Sequence, residues 1–209
     1  MGGYNRIIKD NGVICLFATE PFATELRHTN IRNYKYDWIW KKNTSTGFTH
    51  AKNMPLRDYE NILVFSKAPV GHKNLLGDRR MPYNPQGLQE CNKLCNTKLA
   101  GRLFSIRDYH TESKYGTYTQ YNTNYPKMVI EYSNNDKQYH PTQKPVDLLE
   151  YLIRTYTDEG NIVLDSCMGS GSTGVACIKS NRNFIGIEKE QKFFTIANER
   201  MNTFQSGLF

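Results

Sequence analysis

The residues with the clearest chemical potential form a glycine-rich segment near the C-terminus, Gly169-Ser170-Gly171-Ser172-Thr173-Gly174. It follows an apolar run that ends in Asp165, and Glu188 ends the next apolar run, 23 residues after Asp165. Glycines let a backbone turn tightly and approach a ligand, and a carboxylate at the end of the next strand accepts hydrogen bonds from ribose hydroxyls. The spacing G-x-G-x-x-G therefore predicts a site for a nucleoside cofactor. A structural turn without a ligand is the alternative, and a P-loop is excluded because no Lys-Ser/Thr pair follows the glycines.

The segments around the glycines have the periodicities of a strand, turn, helix and strand in succession. Residues 161–165 and 183–188 are expected to be short apolar strands, with a helix of small residues between them. A helix that begins near Pro145 and a closing helix each place apolar residues at helical spacing, namely Leu148, Leu149, Leu152, Ile153 and Tyr156 in the first and Phe193, Phe194, Ala197 and Met201 in the second. Strands joined by helical crossovers pair in parallel, so the expected fold class is α/β.

The N-terminal third predicts further elements of a sheet. Residues 4–10 resemble the end of a helix, Val13–Phe17 is expected to be a buried strand, and residues 20–28 are expected to be helical. Tyr36–Trp40 and Asn61–Phe65 are rich in β-formers, and we expect them to pair as antiparallel neighbours across a loop that contains residues 44–47.

The middle of the chain, residues 66–126, is polar, basic and rich in tyrosine, with no sustained period, which predicts an irregular insertion. Residues 67–127 hold ten Lys and Arg against four Asp and Glu, a net charge of +6 out of +7 for the chain. Such an excess predicts an anionic partner, most often nucleic acid, although a solvated basic surface is the alternative. The tyrosines could stack on bases or anchor the insertion to the body; they are Tyr109, Tyr115, Tyr118, Tyr121 and Tyr125.

Length and composition limit the class of protein. The chain of 209 residues is long enough for one domain. Its mean hydropathy of −0.66 predicts a soluble protein, and no apolar run has the length of a membrane span. The five cysteines are odd in number and irregularly spaced, which favours a reducing compartment, the cytoplasm. Cys91 and Cys95 have no second pair of ligands at metal-binding spacing, so no metal site is expected.

The position of the glycine segment bears on which cofactor it binds. A nicotinamide-binding domain normally carries this turn after its first strand, with the rest of the sheet following it. Here only 35 residues follow Gly174. The groups that act on a substrate must therefore lie earlier in the chain, and a nicotinamide-dependent enzyme becomes the weaker alternative.

Several motifs together resemble the beta-class DNA amino-methyltransferases, which modify adenine N6 or cytosine N4. They are His140-Pro-Thr-Gln-Lys-Pro145, then Val-Leu-Asp165-Ser-Cys-Met-Gly-Ser-Gly171-Ser-Thr-Gly174 and Phe-Ile-Gly-Ile-Glu188. Upstream, residues 35–42 and 54–65 resemble the segments that precede the target-recognition insertion of that class. The resemblance covers nearly the whole chain and is weakest between Ala68 and Tyr125. It implies a Rossmann-like, S-adenosylmethionine-dependent methyltransferase fold with a circularly permuted motif order.

The resemblance also implies which residues bind S-adenosyl-L-methionine (SAM). Residues of the glycine segment would surround the methionine part of the cofactor, and Glu188 would meet its ribose. The His140 motif would close the other side of the pocket. The residues concerned are His140, Thr142, Lys144, Asp165, Met168, Gly169, Ser170, Gly171, Thr173 and Glu188. For Lys144 the chemistry agrees, because the carboxylate of the cofactor needs a cation or backbone donors, although a surface lysine before a helix is the alternative. Ser166-Cys167 stands where the family usually has proline and an aromatic residue.

Double-stranded DNA is the expected partner of a protein of this class. The candidate contacts are basic residues of the insertion and of the segment before it, namely Lys41, Lys42, Arg79, Arg80, Arg102 and Arg107. The resemblance divides the chain into residues 1–66, the first part of the methyltransferase sheet; residues 67–127, a basic target-recognition insertion; and residues 128–209, the SAM-binding part.

One family motif is absent from the sequence. The catalytic Asp/Asn/Ser-Pro-Pro-Tyr/Phe tetrapeptide does not occur, so we assign no catalytic residue. In the family that tetrapeptide holds the flipped base and lies on a central strand between the glycine-turn strand and the strand expected at Val13–Phe17. Either the flanking strands pair directly, or a homodimer partner or second chain supplies the strand, or the sequence is a fragment. A catalytically inactive relative that binds DNA or cofactor is the alternative function.

Overall fold

The computed structural model describes residues 1–96, 117–134 and 138–206. Its helices are α1 (Gly2–Ile7), α2 (Phe22–His28), α3 (Lys73–Leu76), α4 (Val146–Tyr156), α5 (Ser172–Lys179) and α6 (Gln191–Ser206). Its strands are β1 (Val13–Ala18), β2 (Tyr34–Thr46), β3 (Arg57–Ser66), β4 (Gln89–Asn96), β5 (Thr117–Thr123), β6 (Val129–Glu131), β7 (Ile162–Asp165) and β8 (Asn183–Gly186).

Four strands form the larger sheet, in the order β1-β3-β2-β6. β3 pairs antiparallel with both β1 and β2, and Trp38 lies opposite Ile62, which confirms the predicted pairing of these two apolar runs. β2 extends to Thr46, so residues 44–46 belong to a strand and not to a loop. Its alternation places Trp38 and Trp40 in the core, where both are almost completely buried.

The second sheet consists of β7 and β8, which pair in parallel around the crossover helix α5. This is the strand–turn–helix–strand unit that the sequence predicts, and it gives the α/β class. Gly174 in α5 is required by packing, because a Cβ there would overlap Met201 and the ring of Phe184. The predicted inward face of α6 is only partly right: Ala197 is fully buried, whereas Phe194 is exposed.

Helix α4 spans both sheets. Leu148, Leu152 and Tyr156 pack against Trp38 and Ile62 of the larger sheet. One residue further around the helix, Leu149 and Ile153 pack against the second sheet and α5, in a cluster that includes Ala176, Cys177 and Val163. Phe17, near the end of β1, contacts both clusters. The two sheets therefore lie side by side beneath one helix.

Between these sheets, two strand edges have no partner. β1 is the outer strand of the larger sheet, β7 pairs with β8 alone, and neither has a second neighbouring strand in the part of the chain that the structure describes. One face of the β7–β8 pair is also bare, since Ile162, Leu164, Ile185 and Ile187 are between 36% and 64% exposed. Parallel strands are normally covered on both faces, so this bare aliphatic face is unusual. The expectation that a central strand is missing from the sheet stays a prediction.

The insertion differs from the expectation of an irregular segment. β4 and β5 pair as an antiparallel hairpin with a register shift between Glu90 and Lys93. Its strands were not apparent from the sequence because their residues show no regular alternation of apolar and polar side chains. Tyr121 and Tyr125 are 66% and 56% exposed, which leaves them accessible rather than packed on the body. Tyr109 and Tyr115 lie outside the described residues.

Other boundaries shift by a few residues. α1 ends at Ile7, before the predicted end near Asp10; α2 begins at Phe22; and β8 ends at Gly186, two residues before Glu188. None of the helices in the described ranges has both the length and the hydropathy needed to cross a membrane. Within those ranges no three His, Cys, Asp or Glu side chains are grouped so that they could hold a metal ion.

Candidate functional site

The glycine turn is formed by two left-handed residues. Gly169 has a φ of +51°, and Gly171, which caps the N-terminus of α5, has a φ of +75°. Both values favour glycine, because a side chain strains this backbone conformation. At Gly171 an added Cβ would also lie 2.8 Å from the Cβ of Ala197 in α6. Gly171 is therefore needed for the approach of α6, a reason that the motif alone does not reveal.

Two carboxylates flank the turn at the ends of β7 and β8, as the sequence predicts. Asp165 Oδ2 accepts a hydrogen bond from the Thr173 hydroxyl at 2.6 Å, and its Oδ1 accepts one from the Cys167 N–H at 3.0 Å. Asp165 and Thr173 therefore fasten the start of α5 to β7. Cys167 itself is exposed, which leaves its surroundings open to solvent.

Glu188 lies across the turn from Asp165. It accepts hydrogen bonds from the backbone N–H groups of Glu190 and Gly169, each at 2.9 Å. These backbone donors, that of Glu190 first, hold the pKa of the Glu188 carboxyl below its ordinary value. The carboxylate is thus ionised and oriented at the turn, where it can accept further hydrogen bonds.

The His140 segment packs directly on the glycine turn. The ring of His140 meets that of Phe193 edge to face, with 4.2 Å between centroids, and it lies against Gly169. His140 Nδ1 also bonds the hydroxyl of Thr142 at 3.1 Å. The structure therefore brings the two predicted halves of the site, residues 140–144 and 165–174, into contact. Met168 is buried beside Gly186, where a Cβ would overlap its sulfur.

A polar network that the sequence analysis missed fixes this contact. Ser170 is buried, and its hydroxyl donates to Gln143 Oε1 at 2.9 Å. Arg200 of α6 donates to the Ser170 carbonyl at 2.8 Å and to the Ser172 hydroxyl at 3.2 Å, and its guanidinium lies over the ring of Tyr139. The Ser170 hydroxyl, a predicted cofactor contact, is thus used within the protein. Gln143 lies inside the quoted motif and could have been found there, whereas Arg200 carries no local signal.

Lys144 lies against the larger sheet, next to Glu60 of the inner strand β3. Its Nζ is 3.3 Å from Glu60 Oε2 and 5.3 Å from the centre of the Phe17 ring. Lys42 Nζ is 2.5 Å from the other oxygen of the same carboxylate. Burial raises the pKa of Glu60, but the hydrogen bond from Lys42 and the charges of both lysines outweigh it, and the net pKa is lowered. Glu60 is a second residue that the sequence analysis missed.

The structure separates the predicted DNA contacts. Lys41 is exposed and pairs with the exposed Glu131 at 3.2 Å. Lys42, also predicted to contact DNA, is instead largely buried by its pairing with Glu60, because this position of β2 points inward over the ring of Trp40. Arg102 and Arg107 lie outside the described residues.

The remaining two predicted contacts lie at the other end of the larger sheet. Arg79 lines a cavity of about 400 Å³ with residues 67–69, which follow the end of β3. Lys41, by contrast, lies opposite Tyr59 in the β2–β3 ladder, near the start of β3. Arg80 lines an aromatic cavity of about 520 Å³ with Tyr36, Trp38 and Tyr83. Arg79 and Arg80 thus lie towards the end of β3, and Lys41 lies towards its start.

Comparison with known proteins gives consistent matches. Residues 3–199 match the DNA methylase family N6_N4_Mtase. The chain is 38% identical over 206 residues to the type II methyltransferase M.HpaI of Haemophilus parainfluenzae, an alignment that covers 97% of this chain and 57% of the relative. It is 46% identical over 65 residues to the type II methyltransferase M.BglI of Bacillus subtilis, which covers 31% of this chain and 19% of that relative. The chain thus spans little more than half the length of M.HpaI.

Solved structures show the same fold. The crystal structure of the M1.HpyAVI–SAM complex superposes with a TM-score of 0.59 at 25% identity, covering 95% of this chain and 78% of that one. The cytosine-N4-specific PvuII DNA methyltransferase superposes with a TM-score of 0.60 at 14% identity, covering 95% and 70%. These likenesses support the Rossmann-like methyltransferase fold that the motifs imply.

Proposed function

Because the chain belongs to the DNA methylase family, we propose that it supplies the cofactor-binding part of a site-specific DNA amino-methyltransferase that uses SAM. The observation that carries the proposal is the glycine turn between Asp165 and Glu188, with the His140 segment packed on it. Type II methyltransferase relatives support a place in a restriction–modification system, and the unpaired cysteines support a cytoplasmic location.

The residues present fit the cofactor. Glu188 is an ionised acceptor at the end of β8, suited to ribose hydroxyls, and the glycine turn brings backbone within reach of a ligand. Lys144 offers a cation to a carboxylate. Asp165, Thr173, Ser170 and Gly171 shape the turn, and His140 with Thr142 closes it from the other side. When bound, SAM supplies an electrophilic methyl group on its sulfonium.

We propose further that another segment takes part in placing a base against that methyl group. No Pro-Pro-Tyr/Phe sequence occurs in the chain, and among the described strands β1 and β7 each have one edge without a partner. The exposed aliphatic face formed by Ile162, Leu164, Ile185 and Ile187 also favours a covering layer, because parallel strands are normally covered on both faces. We therefore propose that a strand followed by a helix, from a segment or second chain outside these 209 residues, inserts between β1 and β7.

We propose adenine N6 ahead of cytosine N4 as the target, and nucleoside analysis of the methylated DNA distinguishes the two. The DNA itself is proposed to meet the basic insertion, where Tyr121 and Tyr125 offer exposed rings. Lys41, which is exposed on β2, is a candidate phosphate contact.

The proposal is tested by methyl transfer from radiolabelled SAM to duplex DNA. Residues 1–209 alone should not transfer methyl groups at a rate typical of the family. Positioning the amine against the methyl donor can supply about 7–11 kcal/mol of the barrier, and the chain lacks the tetrapeptide that positions it. Adding the part of M.HpaI that lies outside the matched region should restore transfer, and nucleoside analysis should then find N6-methyladenine. Turnover by the chain alone would refute the need for completion. SAM binding without transfer in any complex would favour the inactive, cofactor-binding relative, and preference for NAD would refute the methyltransferase proposal.

A further inference from the structure

Two lysines share one carboxylate of the inner strand β3, beside the His140 segment. Lys42 Nζ lies 2.5 Å from Glu60 Oε1, and Lys144 Nζ lies 3.3 Å from Glu60 Oε2. The three side chains are only 14%, 23% and 15% exposed for Lys42, Lys144 and Glu60. The cluster therefore holds a net charge of +1 with limited access to water.

The two lysines are not equivalent in this cluster. Lys42 makes the shorter contact to Glu60 and lies 4.9 Å from the centre of the Trp40 ring. Lys144 makes the longer contact, and its other contacts among the described residues are with the Phe17 ring and the Thr142 carbonyl, which carry no net charge. A partly buried cation is costly unless it is paired, so the excess charge on Lys144 favours a further anion.

We propose that Lys42 is a positioning residue that neutralises Glu60 and thereby leaves the charge of Lys144 to the carboxylate of SAM. The inference rests on the proposed function, because it takes Lys144 as the cation that meets this carboxylate. Without Lys42, the ionised Glu60 would hold Lys144 in a one-to-one pair and would oppose a second carboxylate nearby. Lys42 then acts on the cofactor through Glu60 and does not bind DNA.

The test compares two ligands that differ in one group. Isothermal titration calorimetry without DNA measures the affinity of the full chain for SAM and for decarboxylated SAM. Lys42→Met should weaken SAM about tenfold, equivalent to about 1.4 kcal/mol, and should leave decarboxylated SAM unchanged. The double variant Lys42→Met/Glu60→Gln should recover most of the SAM affinity. Lys52→Met is the control, since Lys52 is an exposed lysine outside this cluster, and it should bind both ligands like the wild type.

Each other outcome has a distinct meaning. A wild-type chain that binds neither ligand refutes the proposed function and this inference with it. Equal wild-type affinity for both ligands, or an equal loss for both in Lys42→Met, refutes this inference alone, because Lys42 would then have a merely structural role. Failure of Glu60→Gln to rescue Lys42→Met also refutes it, provided that thermal unfolding shows both variants to be folded.

Discussion

Substituting Gly171 by alanine tests whether the glycine turn is shaped by α6 or by the ligand. The added Cβ would lie 2.8 Å from the Cβ and 3.1 Å from the Cα of Ala197, where ordinary carbon contacts are about 3.5–4.0 Å. Ala197 is fully buried on a helix and cannot rotate away. Overpacking of this kind costs about 1–3 kcal/mol, and a left-handed alanine adds about 1–2 kcal/mol. Gly171→Ala should therefore lower the free energy of unfolding by about 2–5 kcal/mol.

Gly160 provides a control for the backbone contribution. Its φ is +76°, nearly that of Gly171, but nothing lies within 4 Å of an added Cβ. Gly160→Ala should therefore lose only about 1–2 kcal/mol. Urea unfolding followed by circular dichroism measures both variants, and the m-value should stay constant if only stability changes. The difference between the two losses is the steric cost of the α5–α6 contact.

A second substitution locates the clash. Ala197→Gly removes the opposing Cβ, so the pair Gly171→Ala/Ala197→Gly should show a favourable coupling of about 1–3 kcal/mol in a double-mutant cycle. SAM affinity should fall in Gly171→Ala as well, because α6 carries Phe193 and Arg200, which hold the His140 segment and Ser170. Equal losses at Gly160 and Gly171, or strictly additive effects in the cycle, would refute the argument that α6 demands this glycine.

Three further outcomes are expected. Glu188→Ala should weaken SAM binding by about 1–3 kcal/mol in calorimetry through loss of a charged acceptor, and an unchanged affinity would remove Glu188 from the site. Nonspecific DNA binding should have a slope of log K against log salt near −4 to −5 for about five phosphate contacts, and deleting residues 70–124 should flatten it; an unaltered slope would make the insertion a solvated surface. Glu60→Gln should destabilise the protein at neutral pH. The stability gap between wild type and variant should close as the pH falls through the lowered pKa of Glu60. Thermal melts down to about pH 3 measure this gap, and a pH-independent difference would contradict it.

Local sequence determined the elements that place the cofactor site. The alternation of Trp38 and Trp40 and the helical spacing of Leu148 and Leu152 follow from burial on one face, so period alone identifies them. The left-handed turn required glycine at 169 and 171, and the acids that end two apolar runs marked the strand ends. These features are encoded within a few residues of one another, which is why they could be predicted.

The insertion escaped prediction for the corresponding reason. Apolar and polar residues do not alternate regularly in β4 or β5, so their sequence shows no period of two. Their pairing joins residues more than twenty positions apart, such as Leu94 and Thr119. The sequence shows the basic charge and the tyrosines of the insertion, but it does not show that β4 and β5 pair.

Only the tertiary structure decided which charges meet. Lys41 and Lys42 are adjacent and identical in sequence, yet the strand turns one to solvent and the other onto Glu60, 18 residues away. Lys144 reaches the same carboxylate from a distant segment, and Arg200 reaches Ser170 from α6. The sequence by itself determined the cofactor turn and its family, because that chemistry depends on local backbone and spacing. The counterions of the lysines, the α6 contact at Gly171 and the open edges of β1 and β7 depend on packing between distant segments, which only the folded chain specifies.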